Sequence, residues 1–238
     1  MNLPGAFFIN FTLQIQLNMK IDKDYIESLR EDYSNGILEE HNVLPDPMKQ
    51  FEKWFSEAIA AQCMEPNAMT LATATPKGIP SARTVLLKGL DDRGFLFYTN
   101  YDSKKGLEIK ENNHVSLLFF WPELARQVRV DGMAEKISKT ESQEYFNKRP
   151  HGSKLGAMTS NQSRIIENRD VIENKYLELE AAHAGKDLIE VPDFWGGFLV
   201  SPYRIEFWQG RSNRLHDRLQ FTLQHLNPRE WRMDRLAP

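Results

Sequence analysis

The chain has 238 residues, 41% of them hydrophobic and 26% charged, an ordinary globular composition with room for one large domain or two small ones. A formal net charge of −3 and a pI of about 6.1 show no basic excess, so nothing global marks a nucleic-acid binder, and no stretch is long and apolar enough for a membrane span. The single cysteine, Cys63, excludes an intrachain disulfide and fits a reducing cytoplasm; it reads as a small buried hydrophobe.

Residues 1–18 carry an apolar stretch from Ala6 to Leu17, interrupted by Asn10, Thr12, Gln14 and Gln16. There is no basic leading segment and no small-residue cleavage site, so a signal peptide is not indicated. These residues read as an extension outside the fold, followed by a lead-in segment at 19–46 and a single domain at 47–238. Asp46 is a good helix cap and Pro47 suits the first helical position. Phe51, Trp54, Phe55, Ala58 and Ile59 then recur at helical spacing, which predicts an amphipathic helix to about Cys63.

The period then changes to that of strands. Ala68–Thr75, Ser81–Leu90 and Phe95–Asn100 are separated by Pro76-Lys77-Gly78 and by Asp91-Asp92-Arg93-Gly94. Ser103 caps a short helix to Glu111, and Val115–Trp121 and Arg126–Ile137 are two further strands. Ser138 or Thr140 caps a helix that ends at Arg149-Pro150. His151–Ser163 is polar and glycine-bearing, and Arg164–Ala184 reads as a long charged helix stopped by Gly185. Phe194–Val200, Arg204–Gln209, Leu219–Leu223 and Trp231–Leu236 complete the pattern. Hairpin-length turns argue against parallel crossover units, so the expected class is α+β with an antiparallel barrel.

Dinucleotide-binding, phosphate-loop, zinc-protease and nucleophile-elbow motifs are all missing from the sequence. The six histidines are scattered without metal-ligand spacing, so no metal site is expected. Basic and hydroxyl residues gather instead at strand ends and loops. Arg83 and Lys88 stand five apart, on opposite faces of a regular strand, so they serve different partners or flank a twist. Tyr98-Thr99 and Ser103-Lys104-Lys105 follow, where a helix start adds free N–H groups and a dipole suited to an anion.

Several ordered segments resemble the pyridoxine 5′-phosphate oxidase family. They are Arg83-Thr84-Val85-Leu86-Leu87-Lys88, Phe97-Tyr98-Thr99-Asn100, Val115-Ser116-Leu117-Leu118-Phe119 and Arg126-Gln127-Val128. Closer still are Phe194-Trp195-Gly196-Gly197-Phe198, Ile205-Glu206-Phe207-Trp208-Gln209-Gly210, Arg214-Leu215-His216-Asp217-Arg218 and the terminal Arg235-Leu236-Ala237-Pro238. The resemblance runs from about residue 22 to the end. It implies a homodimer of FMN-binding split barrels, with the flavin in a cleft between subunits.

Carried over by position, the resemblance assigns FMN contacts to Arg83, Thr84, Val85, Leu86, Leu87, Lys88, Tyr98 and Thr99. Lys104, Lys105, Gln127, Gln162, Ser163, Trp208 and Arg218 complete that set. Arg83 and Lys105 suit the phosphate, Gln127 the polar edge of the flavin ring, and Trp208 a flat apolar wall. Lys104 stands where arginine is common in the family. The substrate phosphate falls to Lys88, Tyr145, Arg149 and Ser153; Tyr145 and Arg149 are four apart and share a helix face. Arg214, Leu215 and His216 address the substrate ring, with Arg214 and His216 taken as two apart in an extended segment and therefore on one side. Read singly, Trp208 also suits barrel core, Tyr145 helix packing, and His216 a structural role.

The implied reaction moves hydride from C4′ of pyridoxine or pyridoxamine 5′-phosphate to FMN, and O₂ then reoxidises the flavin to give hydrogen peroxide. Arg214 and His216 are the catalytic candidates, and either can be the base. Arg30-Glu31-Asp32-Tyr33 resembles a segment that in the family folds over the substrate, but Glu31 replaces a base there. Two rivals stand beside this reading: a split-barrel FMN-dependent reductase, and a non-catalytic FMN or pyridoxal-phosphate binding protein.

Overall fold

Asp46 starts the first long helix as its sequence predicts. In a computed structural model of the chain its Oδ1 accepts from the Met48 N–H at 2.8 Å, and Pro47 takes the first turn. Residues 23–29, 33, 36–186 and 188–238 are described. The chain divides into two units, Met1–Asp32 and Tyr33–Pro238. Of the first, Lys23–Ser28 forms a short helix, α1. The expected extension at 1–18, and residues 30–32 of the family-like lid segment, lie outside the described residues.

In the second unit α2 (Pro47–Ala60) turns Phe51, Trp54 and Ala58 into the core. The strands are β1 (Ala68–Ala74), β2 (Pro80–Leu86), β3 (Gly89–Asp91), β4 (Gly94–Asn100), β5 (His114–Trp121) and β6 (Arg126–Lys136). Helix α3 (Lys104–Glu111) lies between β4 and β5. After β6 come α4 (Lys139–Lys148), α5 (His151–Thr159) and α6 (Asp170–Ala182), then β7 (Trp195–Gln209), β8 (Asp217–Leu226) and β9 (Arg229–Arg235). Every pairing is antiparallel, in the order β2-β1-β5-β6-β7-β4-β3, with β8 on β7 and β9 on β8.

The fork lies on β7. One edge of this strand follows β6 along its length, while the other pairs β4 over its first half and β8 over its second. At the opposite end of the order, β2 and β3 are successive in the chain and no ladder joins them. Lys88 bridges the gap, its N–H donating to Leu96 O at 2.8 Å. This is the expected α+β antiparallel split barrel with flanking helices. Its interior is aromatic: the Phe51 ring lies 4.9 Å from Phe95 and 4.8 Å from Phe119, with Phe97, Phe207 and Phe221 beyond.

Four boundaries differ from expectation. Residues 195–209 form one strand instead of two, although Pro202 sits inside it. Pro202 pairs with Gly132 where the register shifts, between the stretches held by β4 and β8, so its missing N–H falls at an irregularity. The expected strand Ser81–Leu90 breaks after Leu86, where the Leu87 N–H turns to Asn67 O at 2.8 Å. His151–Thr159 is helical, and α6 begins at Asp170, not Arg164.

Candidate active site

A cleft of about 530 Å³ opens where β2, β4, α3 and the α4–α5 corner meet. Among the residues expected from sequence it gathers Arg83, Thr84, Val85, Leu86, Lys88, Tyr98, Thr99, Lys105 and Gln162, together with Tyr145, Arg149 and Ser153. Arg83 and Lys88 therefore share one cleft despite their odd spacing, because the strand stops between them. Leu87 turns instead into the core, and Lys104 is exposed, 3.8 Å from Glu108 Oε1. Ser163 is exposed and follows Gln162 with a left-handed φ of 72°.

Two cationic groups line the cleft. In the first, Arg83 Nη1 donates to Thr73 Oγ1 at 2.6 Å and Leu71 O at 3.2 Å, and Nη2 donates to Ser81 Oγ at 2.7 Å. Nearby, Lys105 Nζ donates to Gln162 Oε1 at 2.8 Å and Thr99 Oγ1 at 3.2 Å. The acceptors of Lys105 are neutral, whereas Arg83 Nη2 also lies 3.4 Å from the Glu108 carboxylate. Burial first, and the Arg83 charge second, bring the Lys105 ammonium down to about 8.

The second group is built on aromatic stacking. Tyr98 and Tyr145 lie 3.8 Å apart and nearly parallel, and Tyr98 also stacks on Trp195 at 5.3 Å. Arg149 Cζ sits 4.7 Å over the Trp195 ring, and among the described residues its buried Nη1 has no hydrogen-bond partner. A buried unpartnered guanidinium nitrogen is costly unless a ligand supplies the acceptor. Burial lowers the Arg149 pKa and pushes the Tyr98 phenol up to about 12.

The remaining predicted residues lie elsewhere. Gln127, Trp208 and Arg218 stand side by side in register across β6, β7 and β8. Arg218 Nε is 2.8 Å from Glu206 Oε1. The Trp208 ring is 4.6 Å from His216, and Tyr33 packs edge-on against Trp208 at 5.7 Å and at a steep angle to His216 at 6.0 Å. None of Gln127, Trp208, Arg214, Leu215, His216 and Arg218 lines the cleft described above.

The 211–216 segment is not extended, which corrects the expectation for Arg214 and His216. Ser212–Arg214 is a 3₁₀ turn with Asn213 at φ 56° and Arg214 at φ 61°, so alternation along a strand cannot place the two side chains on one side. Two successive left-handed residues without glycine store strain, and the surroundings hold them. Arg211 Nη1 is 3.0 Å from Asp217 Oδ2, and the Arg211 N–H donates to His216 Nδ1 at 3.1 Å. With Nδ1 accepting, a neutral His216 ring carries its proton on Nε2.

Sequence reasoning missed Trp195, Asn100, Gly156, Ala157 and Ser160, all in the cleft wall. Trp195 was legible as an aromatic leading a strand; its register partner Asn100 follows Tyr98-Thr99 directly. Gly156, Ala157 and Ser160 carried no signal, because α5 itself went unrecognised. Among the described residues no helix is long and apolar enough to cross a membrane.

Residues 55–182 match the family model described as pyridoxamine 5′-phosphate oxidase, and residues 195–238 match the pyridoxine 5′-phosphate oxidase C-terminal dimerisation region. The pyridoxine/pyridoxamine 5′-phosphate oxidase of Trichormus variabilis is 53% identical over 213 residues, covering 90% of this chain and 98% of that protein. The protein of the same description from Rubrobacter xylanophilus is 53% identical over 213 residues, 90% of this chain and 96% of its own. Among solved structures, PhzG from Burkholderia lata, in complex with tetrahydrophenazine-1-carboxylic acid, superposes with a TM-score of 0.79. It is 29% identical and covers 86% of this chain and 100% of its own.

Proposed function

Because the chain belongs to the pyridoxamine 5′-phosphate oxidase family, we propose that it oxidises pyridoxine or pyridoxamine 5′-phosphate to pyridoxal 5′-phosphate, with FMN as cofactor and O₂ as final acceptor. The observation that carries this reading is one cleft with two separate anion-ready groups, Arg83 with Lys105 and the unpartnered Arg149. A flavin mononucleotide and a phosphorylated substrate require such a pair. Bound FMN supplies the two-electron acceptor; the chain supplies binding, orientation and charge.

Arg83 and Lys105 hold the FMN phosphate, with Thr84, Val85, Leu86, Tyr98, Thr99 and Gln162 along the flavin. Arg149, Tyr145, Ser153 and Lys88 hold the substrate phosphate, which meets the free Nη1. Arg214 and His216 act on the reacting side of the substrate ring. The Nδ1 bond from Arg211 suits His216 to donate from Nε2 to a substrate oxygen or nitrogen, and leaves proton removal to another group.

The match of 195–238 to a dimerisation region supports a homodimer, and the absence of Gln127, Trp208, Arg214, His216 and Arg218 from the cleft wall supports a site shared between two copies. We assign 47–238 to the FMN-binding domain and 19–46 to its lead-in. The buried free Cys63 supports a reducing, cytoplasmic location.

Purified protein given pyridoxine 5′-phosphate in air tests the function directly. We expect aldehyde and hydrogen peroxide in equal amounts, two electrons leaving each alcohol and reducing one O₂. Flavin binding with neither product identifies a binding protein, and turnover that requires a nicotinamide or deazaflavin donor identifies a reductase.

A further inference from the structure

Glu108 lies on α3, one turn from Lys105, and its side chain is 7% exposed. Its Oε2 accepts from Thr73 Oγ1 at 2.5 Å and from Ser81 Oγ at 2.6 Å, and stands 3.4 Å from Arg83 Nη2. The same two hydroxyls accept from Arg83, at 2.6 and 2.7 Å. Thr73 and Ser81 are register partners on β1 and β2, which sets the two hydroxyls side by side beneath the guanidinium. Burial would raise the Glu108 carboxyl, but the two hydroxyls, Arg83 and Lys104 hold it below the ordinary carboxylate range, so it is charged.

The donor count makes this arrangement directional. A hydroxyl has one proton to give. Each of these gives it to Glu108, which leaves its lone pairs for Arg83. The carboxylate therefore orients both hydroxyl dipoles toward the guanidinium and commits both terminal amino groups of Arg83 to the protein. What remains for a ligand in the cleft is a fixed positive charge and the Nε–H, with no rotamer freedom left to lose. Seating of α3 is equally fixed: a Cβ on Gly106 would fall 2.1 Å from Tyr101 O, so the helix carrying both Lys105 and Glu108 rests directly on the preceding turn.

We propose that Glu108, acting through Thr73 and Ser81, is a positioning residue that presets Arg83 for the phosphate of the flavin. This rests on the assignment of Arg83 to the FMN phosphate. Removing the carboxylate frees the hydroxyls to turn and the guanidinium to swing, so affinity is lost at the phosphate end alone.

The test compares FMN with riboflavin, which lacks the phosphate. Full-length protein loaded with either flavin is diluted, and the released flavin is read by its fluorescence to give Kd. Glu108→Gln weakens FMN by about tenfold, the scale of one charge-assisted hydrogen bond, while riboflavin stays within about twofold. Thr73→Val acts in the same direction. An unchanged FMN-to-riboflavin ratio in Glu108→Gln overturns the proposal, as does tighter FMN, which would make Glu108 a competitor for Arg83. Equal losses of both flavins in the two variants also overturn it, since the cluster would then serve only the fold. Arg83→Lys separates the levels. If it leaves the ratio unchanged, the phosphate assignment falls and the proposal with it; if it weakens FMN relative to riboflavin while Glu108→Gln does not, only the role of Glu108 falls.

Discussion

Lys105 makes the flavin grip sensitive to pH. Its folded value of about 8 lies below the ordinary 10.5, so between these limits the unfolded chain holds a proton that the folded apoprotein lacks, and apoprotein stability rises with pH. Phosphate binding runs the other way, because only the ammonium form attracts the dianion. FMN affinity should fall as pH rises past about 8 while riboflavin affinity stays level, and Lys105→Met should remove the difference. The two anion groups should also separate by mutation. Arg83→Ala should give flavin-poor, colourless protein, whereas Arg149→Ala stays yellow and shows a raised KM, since Arg149 stacks on Trp195 while Arg83 is held by Thr73 and Ser81. If Arg149→Ala loses flavin and Arg83→Ala keeps it, the two assignments are reversed. At the reacting end, His216→Ala and Arg214→Ala should retain flavin but slow anaerobic flavin bleaching by pyridoxine 5′-phosphate about 10²–10⁴-fold. Native-like bleaching in both would make the 211–216 turn structural.

The elements show which residues announce themselves. Ser138 caps α4 with a full capping box: its Oγ accepts from the Glu141 N–H at 3.1 Å and Glu141 Oε2 accepts from the Ser138 N–H at 3.2 Å. Ser138→Ala should cost about 1 kcal/mol, read as a thermal midpoint lower by about 2–4 °C, with flavin content unchanged. Such caps, like Asp46 and Ser103, are local and were legible from sequence. So were the barrel strands, whose alternation reflects one buried face. Helix α5 was not, because Gly152 and Gly156 weaken its intrinsic propensity and packing of Leu155 with Phe146 and Ile189 decides instead. Pro202 looked like a strand end because the bulge that tolerates it belongs to the pairing with β6. The site divides the same way. Arg83, Lys105, Tyr145 and Arg149 carried charge or helical spacing, and the family resemblance assigned them. Glu108 did not, since an acidic residue in a charged helix is indistinguishable from a solvated one until β1 and β2 close over it. The turn at Asn213-Arg214 was missed because neither residue is glycine, and tertiary contacts impose its left-handed backbone.

At the scale of the whole molecule, the proposed binding and catalytic residues fall into two sets in one chain. Arg149 and its neighbours line the cleft, whereas His216 packs with Trp208 on the β7–β8 side and does not line it. If the flavin is held between two copies, each site takes the cleft of one subunit and the 208–218 residues of the other, and a twofold axis makes two such sites per dimer. The mass in solution should then be near twice 27.7 kDa. Mixing gives the stronger test. Arg149→Ala damages the cleft set and His216→Ala the other, so each homodimer has two defective sites. A mixed dimer combines the defects differently: one site receives both changes, and the other receives an intact cleft from the His216→Ala chain and an intact 208–218 segment from the Arg149→Ala chain. Assayed with substrate well below the raised KM of Arg149→Ala, where both parents turn over slowly, random exchange at equal amounts makes about half of the dimers mixed, each with one of its two sites intact, so activity should recover to about one quarter of the unmutated level. Recovery should appear only after subunits are exchanged, by co-expression or by refolding together. If the exchanged mixture stays as inactive as its parents, each site is built from a single chain, and the shared-site reading is wrong.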